Sequence, residues 1–383
     1  MVGDMDARAP TVGGLASARS TDRVHIRAAV LRVHGAPFAL ETLTLRPPGQ
    51  GEVRVRIRAC AVCHSDLSAA DGIWGGDLPI VLGHEAAGTV EAVGSGVERV
   101  APGDRVVVTL IRSCQSCEQC AHSEEVLCGH VPAHGSPLET ADGTSVVQGM
   151  ETGAFAEAVV VDQSQLAQIP DALSFELASL LGCGVLTGFC AVANTAHVRP
   201  GQSVIVIGCG GVGLNAIQGA RIAGAGPIIA IDPAAERRGQ ARAFGATHTF
   251  DPREGATERD ALAVTDGGAD AVFVAAGIAD VMTDATRLLA RGGQLVVLGM
   301  PPVGVMAAYE PVNLAYYGQR IVGTRMGGAV VARDVPILAK RYLDGSLQLD
   351  SLVGGTWPLE RINDAFAAAR RGEGARQIVV MGA

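Results

Sequence analysis

The first part of the chain shows short alternating patterns of hydrophobic and polar residues. Residues 53–57 alternate strictly, which is typical of a β-strand with one buried face. Further short strands are predicted at 88–93, 105–109 and 157–161, and the Pro102-Gly103-Asp104 sequence predicts a turn before the second of these. Many turn signals at irregular spacing therefore predict a β-rich first domain of partly open barrel type.

After about residue 184 the pattern changes to short apolar segments that alternate with helical stretches. The predicted strands are 203–207, 228–231, 247–250, 271–274, 295–298 and 321–322. The predicted helices between them are 212–223, 234–244 and 279–291. This alternation predicts an α/β domain with a doubly wound, six-stranded parallel sheet that is covered by helices on both faces.

The last part of the chain is mixed again, with predicted helices at 335–344 and 359–371 and a final strand at 377–380. We expect this segment to return to the first domain. The predicted organisation is an N-terminal tail at 1–24, a β-rich domain at 25–184, an α/β domain at 185–325 and a second part of the first domain at 326–383. The tail is small and polar, so we interpret it as flexible, or as a start assigned upstream of Ile26.

Composition narrows the function classes. The chain has 383 residues, 48% of them hydrophobic and 18% charged, which is enough to bury a sizeable core. A formal net charge of −9 gives no basic surface for nucleic acid. The sequence contains no run of about eighteen uncharged apolar residues, so no membrane span is predicted. Nine cysteines without a secretory signal predict a reducing, cytoplasmic location, where cysteines bind metals more often than they form disulfides.

A glycine-rich motif lies between a predicted strand and a predicted helix. Gly208, Gly210 and Gly213 have the spacing of a dinucleotide-binding turn, with Gly211 and Val212 between the last two. Such motifs occur by chance, but here the strand and the helix flank it as required. Gly208 would make the turn, Gly210 would let the backbone approach a pyrophosphate, and Gly213 would allow close packing of helix on strand.

Asp232 ends the next predicted strand, 24 residues after Gly208. A carboxylate at this place binds the adenosine ribose hydroxyls and repels a 2′-phosphate, which predicts NAD rather than NADP. The alternative is that Asp232 only caps the following helix.

Two groups of cysteine and histidine residues have the spacing of metal sites. Cys114, Cys117, Cys120 and Cys128 would close a tetrahedral zinc site, with an iron–sulfur cluster or two disulfides as alternatives. In a second group, Cys63 and His84 would bind a zinc together with Cys183. Three protein ligands leave one position open for water or a substrate oxygen.

In these three features, and in their order, the chain resembles the zinc-dependent alcohol dehydrogenases of the medium-chain dehydrogenase/reductase family, from about residue 26 to the end. The resemblance implies a GroES-like barrel domain beside a Rossmann domain, with the active site in the cleft. It also implies two zinc ions per chain, NAD(H), a small hydrophobic alcohol or aldehyde substrate, and a homodimer or homotetramer.

The resemblance also implies roles for single residues. The catalytic zinc would be bound by Cys63, His84 and Cys183, with Glu85 able to approach it. Asp66 would orient His84, and Ser65 would accept the proton of the alcohol.

The dinucleotide is expected to contact a further set of residues. The resemblance places His64 and Arg376 at the pyrophosphate, Arg237 near the adenosine ribose, and Thr187 and Val212 beside the nicotinamide.

The resemblance also implies which residues line the substrate channel. Its residues would be Trp74, Leu110, Met150 and Met300, which favour primary, aromatic or allylic alcohols, although Trp74 could equally pack in the core or at the rim. Ser68 stands where well-known animal members have a histidine that extends the proton relay. The alternatives are a polyol or a glutathione-dependent formaldehyde dehydrogenase of the same fold, or a dinucleotide-binding protein without catalysis.

Overall fold

The computed structural model describes residues 22–131 and 134–382. The predicted N-terminal tail falls almost entirely within residues 1–21, which lie outside the described residues.

The described residues form eighteen β-strands in three sheets. These are β1 (Val24–Leu31), β2 (Ala39–Leu45), β3 (Glu52–Val62), β4 (Ile80–Val81), β5 (Glu85–Val93), β6 (Arg105–Val108), β7 (Leu138–Glu139), β8 (Ser145–Gln148), β9 (Ala158–Asp162), β10 (Leu166–Gln168), β11 (Val204–Ile207), β12 (Ile228–Ile231), β13 (His248–Phe250), β14 (Ala269–Val274), β15 (Leu289–Val297), β16 (Arg320–Gly323), β17 (Val353–Pro358) and β18 (Arg376–Val380).

Eleven α-helices connect or cover these sheets in the described part of the chain. They are α1 (His64–Ala70), α2 (Glu118–Ala121), α3 (Phe175–Ser179), α4 (Gly184–Cys190), α5 (Gly211–Ile222), α6 (Ala235–Phe244), α7 (Thr257–Val264), α8 (Ala279–Ala285), α9 (Pro311–Tyr317), α10 (Val331–Leu343) and α11 (Ile362–Arg371). A π-helical segment, Ala191–Thr195, extends α4.

The N-terminal part combines a small barrel with a larger sheet. Strands β1, β2, β7, β8 and β4 close a barrel, and β10, β6, β5, β3, β18 and β17 form a sheet in which β9 also pairs with β3. The last strand, β18, runs antiparallel to β3, so the end of the chain lies beside its first long strand. The side chains of β3 are largely buried, which explains why this long strand is central to the sheet.

The second part is a six-stranded sheet in the order β13-β12-β11-β14-β15-β16. Every pairing in it is parallel. Its central strands are short and almost completely buried because helices cover both faces, as the apolar runs in the sequence predict. The structure thus confirms the predicted fold class, a GroES-like barrel domain with a doubly wound Rossmann sheet.

The helix predicted at 279–291 ends at Ala285, and after one 3-10 turn β15 begins at Leu289. β15 gains its hydrogen bonds from β14, and the glycine pair at 292–293 lies where the register of this pairing shifts, with a left-handed φ of +72° at Gly292. Helices α7 and α9 were not predicted, because α9 buries no side chain and α7 buries only Ala261, so neither shows an apolar stripe.

One continuous core joins the two parts of the molecule. It contains buried residues of β3, of α4 and of the parallel sheet, with Cys63 and Cys183 at its edge. In the described ranges no single helix has both the length and the apolar composition of a membrane span. One pair of shorter helical segments, 175–182 and 184–195, passes that test only in combination and is bent by 51°.

Candidate active site

Two neighbouring strands and one helix bring the first predicted donor set together. Cys63 follows β3 directly and precedes α1, and His84 precedes β5, which pairs with β3. Cys183 enters from the other side, in an irregular turn before α4. The sheet register therefore makes neighbours of residues that lie far apart in the sequence.

The donor atoms of Cys63, His84, Glu85 and Cys183 all lie within 4.8 Å of one another, and all four residues are buried. The Nε2 atom of His84 is buried and has no hydrogen-bond partner. A buried nitrogen of this kind is unfavourable unless something binds it. This nitrogen and the two sulfurs beside it are donors that suit zinc. The residues present therefore fit the metal that the resemblance implies.

Asp66 fixes the geometry of this donor set. Its Oδ1 lies 3.1 Å from His84 Nδ1 and accepts a hydrogen bond from the Gly83 amide at 3.0 Å. Its Oδ2 accepts the Cys63 amide at 2.9 Å. Because Nδ1 is held by a carboxylate, the ring presents Nε2 to the other donors, which is the usual arrangement of metal-bound histidines.

The electrostatics of the donor set favour a shared negative charge. The adjacent Cys183 thiol lowers the pKa of Cys63 well below its usual value, and Arg376 and His84 lower it further. Contact with Cys63 together with burial raises the pKa of Cys183. Burial acts to lower the pKa of His84, but the charge and hydrogen bond of Asp66 outweigh it and raise that pKa well above the usual value. A cation at the centre would take the place of the protons on Cys183 and His84, because metal ligands bind in their deprotonated forms.

Glu85 forms a buried ion pair with Arg376. Burial raises the pKa of Glu85 to about 7, although the Arg376 charge opposes this shift. The guanidinium donates from Nε to Oε2 at 3.1 Å and from Nη2 to Oε1 at 3.2 Å, and the Gly184 amide also donates to Oε1 at 3.2 Å. A Cβ on Gly184 would lie 2.2 Å from Nη2 of this guanidinium, and a Cβ on Gly211 would lie 2.1 Å from its Nη1. Arg376 therefore joins the donor set to the first residue of α5.

The glycine turn has the close contacts that its motif predicts. Gly208 has a φ of +92°, and a Cβ on Gly213 would meet the Gly208 carbonyl oxygen at 1.8 Å. Gly210 precedes α5, and the space that its Cβ would take is open. The N-terminus of α5 is therefore accessible to an anionic group, which its free amide groups favour.

Asp232 is buried directly beside this turn. It accepts hydrogen bonds from the Cys209 and Ala234 amides, both at 2.8 Å, and Arg237 Nη1 lies 4.0 Å away. Helix α6 begins at Ala235 without a side-chain cap. The carboxylate thus tightens the glycine turn and also holds the amide of Ala234, the residue directly before α6.

The four-cysteine group also comes together. The Sγ–Sγ distances include 3.5 Å for Cys117–Cys120, 3.8 Å for Cys117–Cys128 and 4.0 Å for Cys114–Cys120. All four thiols are free. Hydrogen bonds from Ser116 lower the pKa of Cys114 to about 6, and burial raises the pKa of Cys120 to about 12. Four sulfurs at such distances fit a closed, tetrahedral metal site.

The other predicted residues lie around these groups with different exposure. Ser65 and Val212 are half-buried, and His64 is exposed at the start of α1. Thr187 is buried on α4, with its hydroxyl 4.0 Å from Cys183 Sγ.

The predicted channel residues are not equally enclosed. Trp74, Leu110 and Met150 are half-buried, whereas Met300 is 67% exposed in the single chain.

Sequence reasoning missed one residue at the donor set. Met326 is buried, and its Sδ lies 3.7 Å from Cys183 Sγ and 3.4 Å from Thr187 Oγ1. The two glycines that follow it, Gly327 and Gly328, mark an unusual turn after a strand and were the one available signal.

Known protein families and named relatives match most of this chain. The alcohol dehydrogenase GroES-like domain family matches residues 49–171, and the zinc-binding dehydrogenase family matches residues 211–341. An NDMA-dependent alcohol dehydrogenase from Amycolatopsis methanolica is 35% identical over 365 residues, covering 92% of this chain and 98% of that protein. S-(hydroxymethyl)glutathione dehydrogenase from Paracoccus denitrificans is 35% identical over 374 residues, covering 92% of this chain and 99% of that protein.

A solved structure gives the same result for the whole fold. Benzyl alcohol dehydrogenase from Acinetobacter calcoaceticus superimposes with a TM-score of 0.88 at 29% identity, covering 94% of this chain and 100% of that chain. The chain therefore belongs to the zinc-dependent alcohol dehydrogenases of the medium-chain dehydrogenase/reductase family, which interconvert alcohols and aldehydes or ketones by hydride transfer.

Proposed function

We propose that this protein is an NAD-dependent dehydrogenase of primary, aromatic or allylic alcohols, with one catalytic and one structural zinc per chain. The observation that carries the proposal is the unpartnered Nε2 of His84 between two buried sulfurs, Cys63 and Cys183. Arg376 connects this donor set to the glycine turn at Gly211. A protein that only bound a dinucleotide would have no use for the three donors.

The residues of the site have separate roles in metal binding and proton transfer. Cys63, His84 and Cys183 hold the metal, and Asp66 keeps the His84 ring in place. A zinc ion bound there supplies a Lewis acid that favours the deprotonated form of an alcohol. Ser65 is half-buried at the start of α1, next to Cys63, and accepts the alcohol proton. Ser68 is buried on the same helix, and its hydroxyl does not titrate near neutral pH. After Ser65, the proton therefore leaves through another group or through water.

The dinucleotide supplies the hydride acceptor or donor when it is bound. Its pyrophosphate would lie at the open N-terminus of α5, between Gly210 and Arg376, with His64 at the rim. Asp232 supports NAD over NADP because a 2′-phosphate would meet its carboxylate.

Three further residues complete the dinucleotide site. Arg237 would contact the adenosine ribose, and Thr187 and Val212 would contact the nicotinamide, since Thr187 lies beside Cys183.

The half-buried, apolar Trp74, Leu110 and Met150 favour a hydrophobic substrate, and Met300 would join them at the outer end of the channel. The structural relative named benzyl alcohol dehydrogenase supports an aromatic substrate. The relative named S-(hydroxymethyl)glutathione dehydrogenase keeps the formaldehyde alternative open.

A homo-oligomer is the assembly that the surface supports. Eight exposed apolar side chains lie between residues 300 and 321, at the edge of the parallel sheet that ends in β16: Met300, Val303, Val305, Met306, Tyr309, Val312, Tyr316 and Ile321. A group of this size marks an interaction surface. Light scattering after size-exclusion chromatography would give twice or four times the chain mass, and a monomer at micromolar concentration would contradict the proposal.

Two further proposals concern location and organisation. The nine free cysteines support a reducing compartment such as the cytoplasm. We also propose functional boundaries near residues 184 and 325, because the strands of 326–383 join the sheet of β3.

A substrate panel tests the function. Purified protein is assayed at the NADH absorbance band with benzyl alcohol, a short aliphatic alcohol, a polyol and the glutathione–formaldehyde adduct, and then with the aldehydes and NADH. The highest kcat/KM is expected for benzyl alcohol. A polyol or the adduct as the best substrate would replace the proposed class, and no turnover with any substrate by zinc-loaded protein would favour the non-catalytic alternative.

A further inference from the structure

The turn that follows β16 has an unusual backbone beside the catalytic donor set. Met326, Gly327 and Gly328 are all left-handed, with φ of +50°, +69° and +68°. Left-handed backbone is normal for glycine but unfavourable for methionine, and it persists only where the surroundings enforce it. Something in the structure therefore holds Met326 in place.

The position of Met326 has a direct consequence for the metal site. Its sulfur lies 3.7 Å from the Sγ of Cys183 and 3.4 Å from the hydroxyl of Thr187, and the side chain is buried. The thioether thus packs on a sulfur that would bind the catalytic metal. Any shift of the turn moves an atom that contacts this donor.

Helix α4 and its π-helical extension hold one side of the turn. The Thr195 hydroxyl donates to the Gly327 carbonyl at 3.1 Å and lies 2.8 Å from the Thr324 hydroxyl. The Asn194 amide donates to the Gly328 carbonyl at 3.2 Å. These bonds all come from the end of the helix whose N-terminus follows Cys183, so they fix the turn to the metal site's own helix.

The other side of the turn is held from the four-cysteine loop. Arg325 Nη1 donates to the carbonyl oxygen of Val126 at 2.9 Å. Val126 is buried and lies two residues before Cys128, whose sulfur accepts the Cys114 amide at 3.3 Å. A bound metal would fix this loop, and Arg325 would pass that restraint to the residue next to it, Met326.

We propose that Arg325 is a positioning residue, which ties the four-cysteine loop to the Met326 turn and so sets the packing on Cys183 at the catalytic metal. The four-cysteine site then stabilises more than its own loop, because it also supports the packing of Met326 on Cys183. The inference rests on the proposed function, because it needs a metal at Cys63, His84 and Cys183.

Arg325 can be changed without emptying the space around it. Arg325→Met keeps most of the aliphatic stem and removes the donor, whereas Arg325→Lys keeps a cationic donor on a shorter reach. Arg221→Met is a matched control, because Arg221 Nη2 also donates to a backbone carbonyl, that of Ser346 at 2.5 Å. Arg221 lies near the end of α5, away from both cysteine groups.

The test uses full-length protein with cobalt(II) in the catalytic site and zinc retained in the four-cysteine site. The visible d–d and sulfur-to-cobalt bands report the geometry around Cys183, and kcat and KM are measured with benzyl alcohol on the zinc protein. Arg325→Met should shift the bands and lower kcat by about threefold to thirtyfold, an effect typical of a residue that couples two sites. Arg325→Lys should restore most of both, and Arg221→Met should change neither.

Each of the following results would overturn the inference. Wild-type bands and kcat in Arg325→Met would show that Arg325 does not position the site. A loss of kcat with unshifted bands, or one that Arg325→Lys does not restore, would assign the change to general destabilisation. A wild-type protein that binds no cobalt at Cys63, His84 and Cys183 would overturn the proposed function together with this inference, so the two failures are distinguishable.

Discussion

The two cysteine centres of this molecule contrast in burial and in the kind of donor they offer. The set that we propose as catalytic mixes two sulfurs, one ring nitrogen and a carboxylate, all of them buried. The four-cysteine set consists of sulfurs alone, and three of its four residues are only half-buried. A closed set of four sulfurs leaves no position for a substrate, whereas three donors with a nearby carboxylate leave one. Under the proposed function, burial and donor type together distinguish a centre for chemistry from a centre for stability.

The prediction with the largest expected effect removes one donor of the catalytic set and so distinguishes this centre from the four-cysteine centre. Cys183→Ala should lower kcat/KM by about four orders of magnitude, because only two good donors remain. The zinc content should fall from two to one per chain. Steady-state kinetics and metal analysis check both expectations.

Cys190→Ala is the matched control for this change, since Cys190 is a second buried, free cysteine, at the end of the helix that Cys183 precedes. It should keep both zinc ions. Loss of both metals in Cys183→Ala would mean that the two centres are not independent.

The second prediction concerns stability instead of chemistry. Cys117→Ser opens the four-cysteine loop and should lower Tm by roughly 5–15 °C, because metal binding to such a site contributes to folding. The catalytic zinc should remain bound. Differential scanning calorimetry with metal analysis measures both, and an unchanged Tm would remove the structural role of this centre.

The third prediction tests the support of His84. Asp66→Asn keeps the shape of the side chain but removes its charge, and should lower metal affinity or kcat/KM by about 10–100-fold. Asp71→Asn, at the end of the same helix and paired with Arg370, is the control and should leave both unchanged. Competition with a chromogenic chelator measures the affinity. Equal values for the two variants would leave Asp66 without a special role.

The smallest expected effect lies on the cofactor side. Asp232→Gly removes the carboxylate beside the glycine turn and should raise KM for NAD by roughly tenfold, since several hydrogen bonds are lost. The ratio of kcat/KM for NAD to that for NADP should fall. A ratio equal to that of wild type would contradict the role of Asp232 in cofactor choice.

Both donor sets could be predicted from the sequence because their spacing is itself chemical information. Cysteines with two residues between them, and a thiol and an imidazole that supply two of the donors a zinc takes, are typical of metal sites. The glycine turn was predictable for the same reason, since the contact between Gly213 and the Gly208 carbonyl excludes every other residue. The doubly wound sheet followed from short apolar strands.

The remaining features depend on contacts that no local pattern records. Glu85 and Arg376 lie 291 positions apart and meet only because β18 pairs with β3. Met326 reaches Cys183 across 143 positions. The helix predicted at 279–291 ended early because β15 competes for the same residues through its pairing with β14. For this helix, tertiary hydrogen bonds outweighed local propensity.

The central claim is that a metal lies between Cys63, His84 and Cys183 and faces the glycine turn. Anomalous diffraction at the zinc edge, on crystals grown with NAD, tests it most directly. We expect two peaks per chain, one of them about 2.0–2.3 Å from Cys63 Sγ, His84 Nε2 and Cys183 Sγ. A single peak, confined to the four-cysteine loop, would contradict the account.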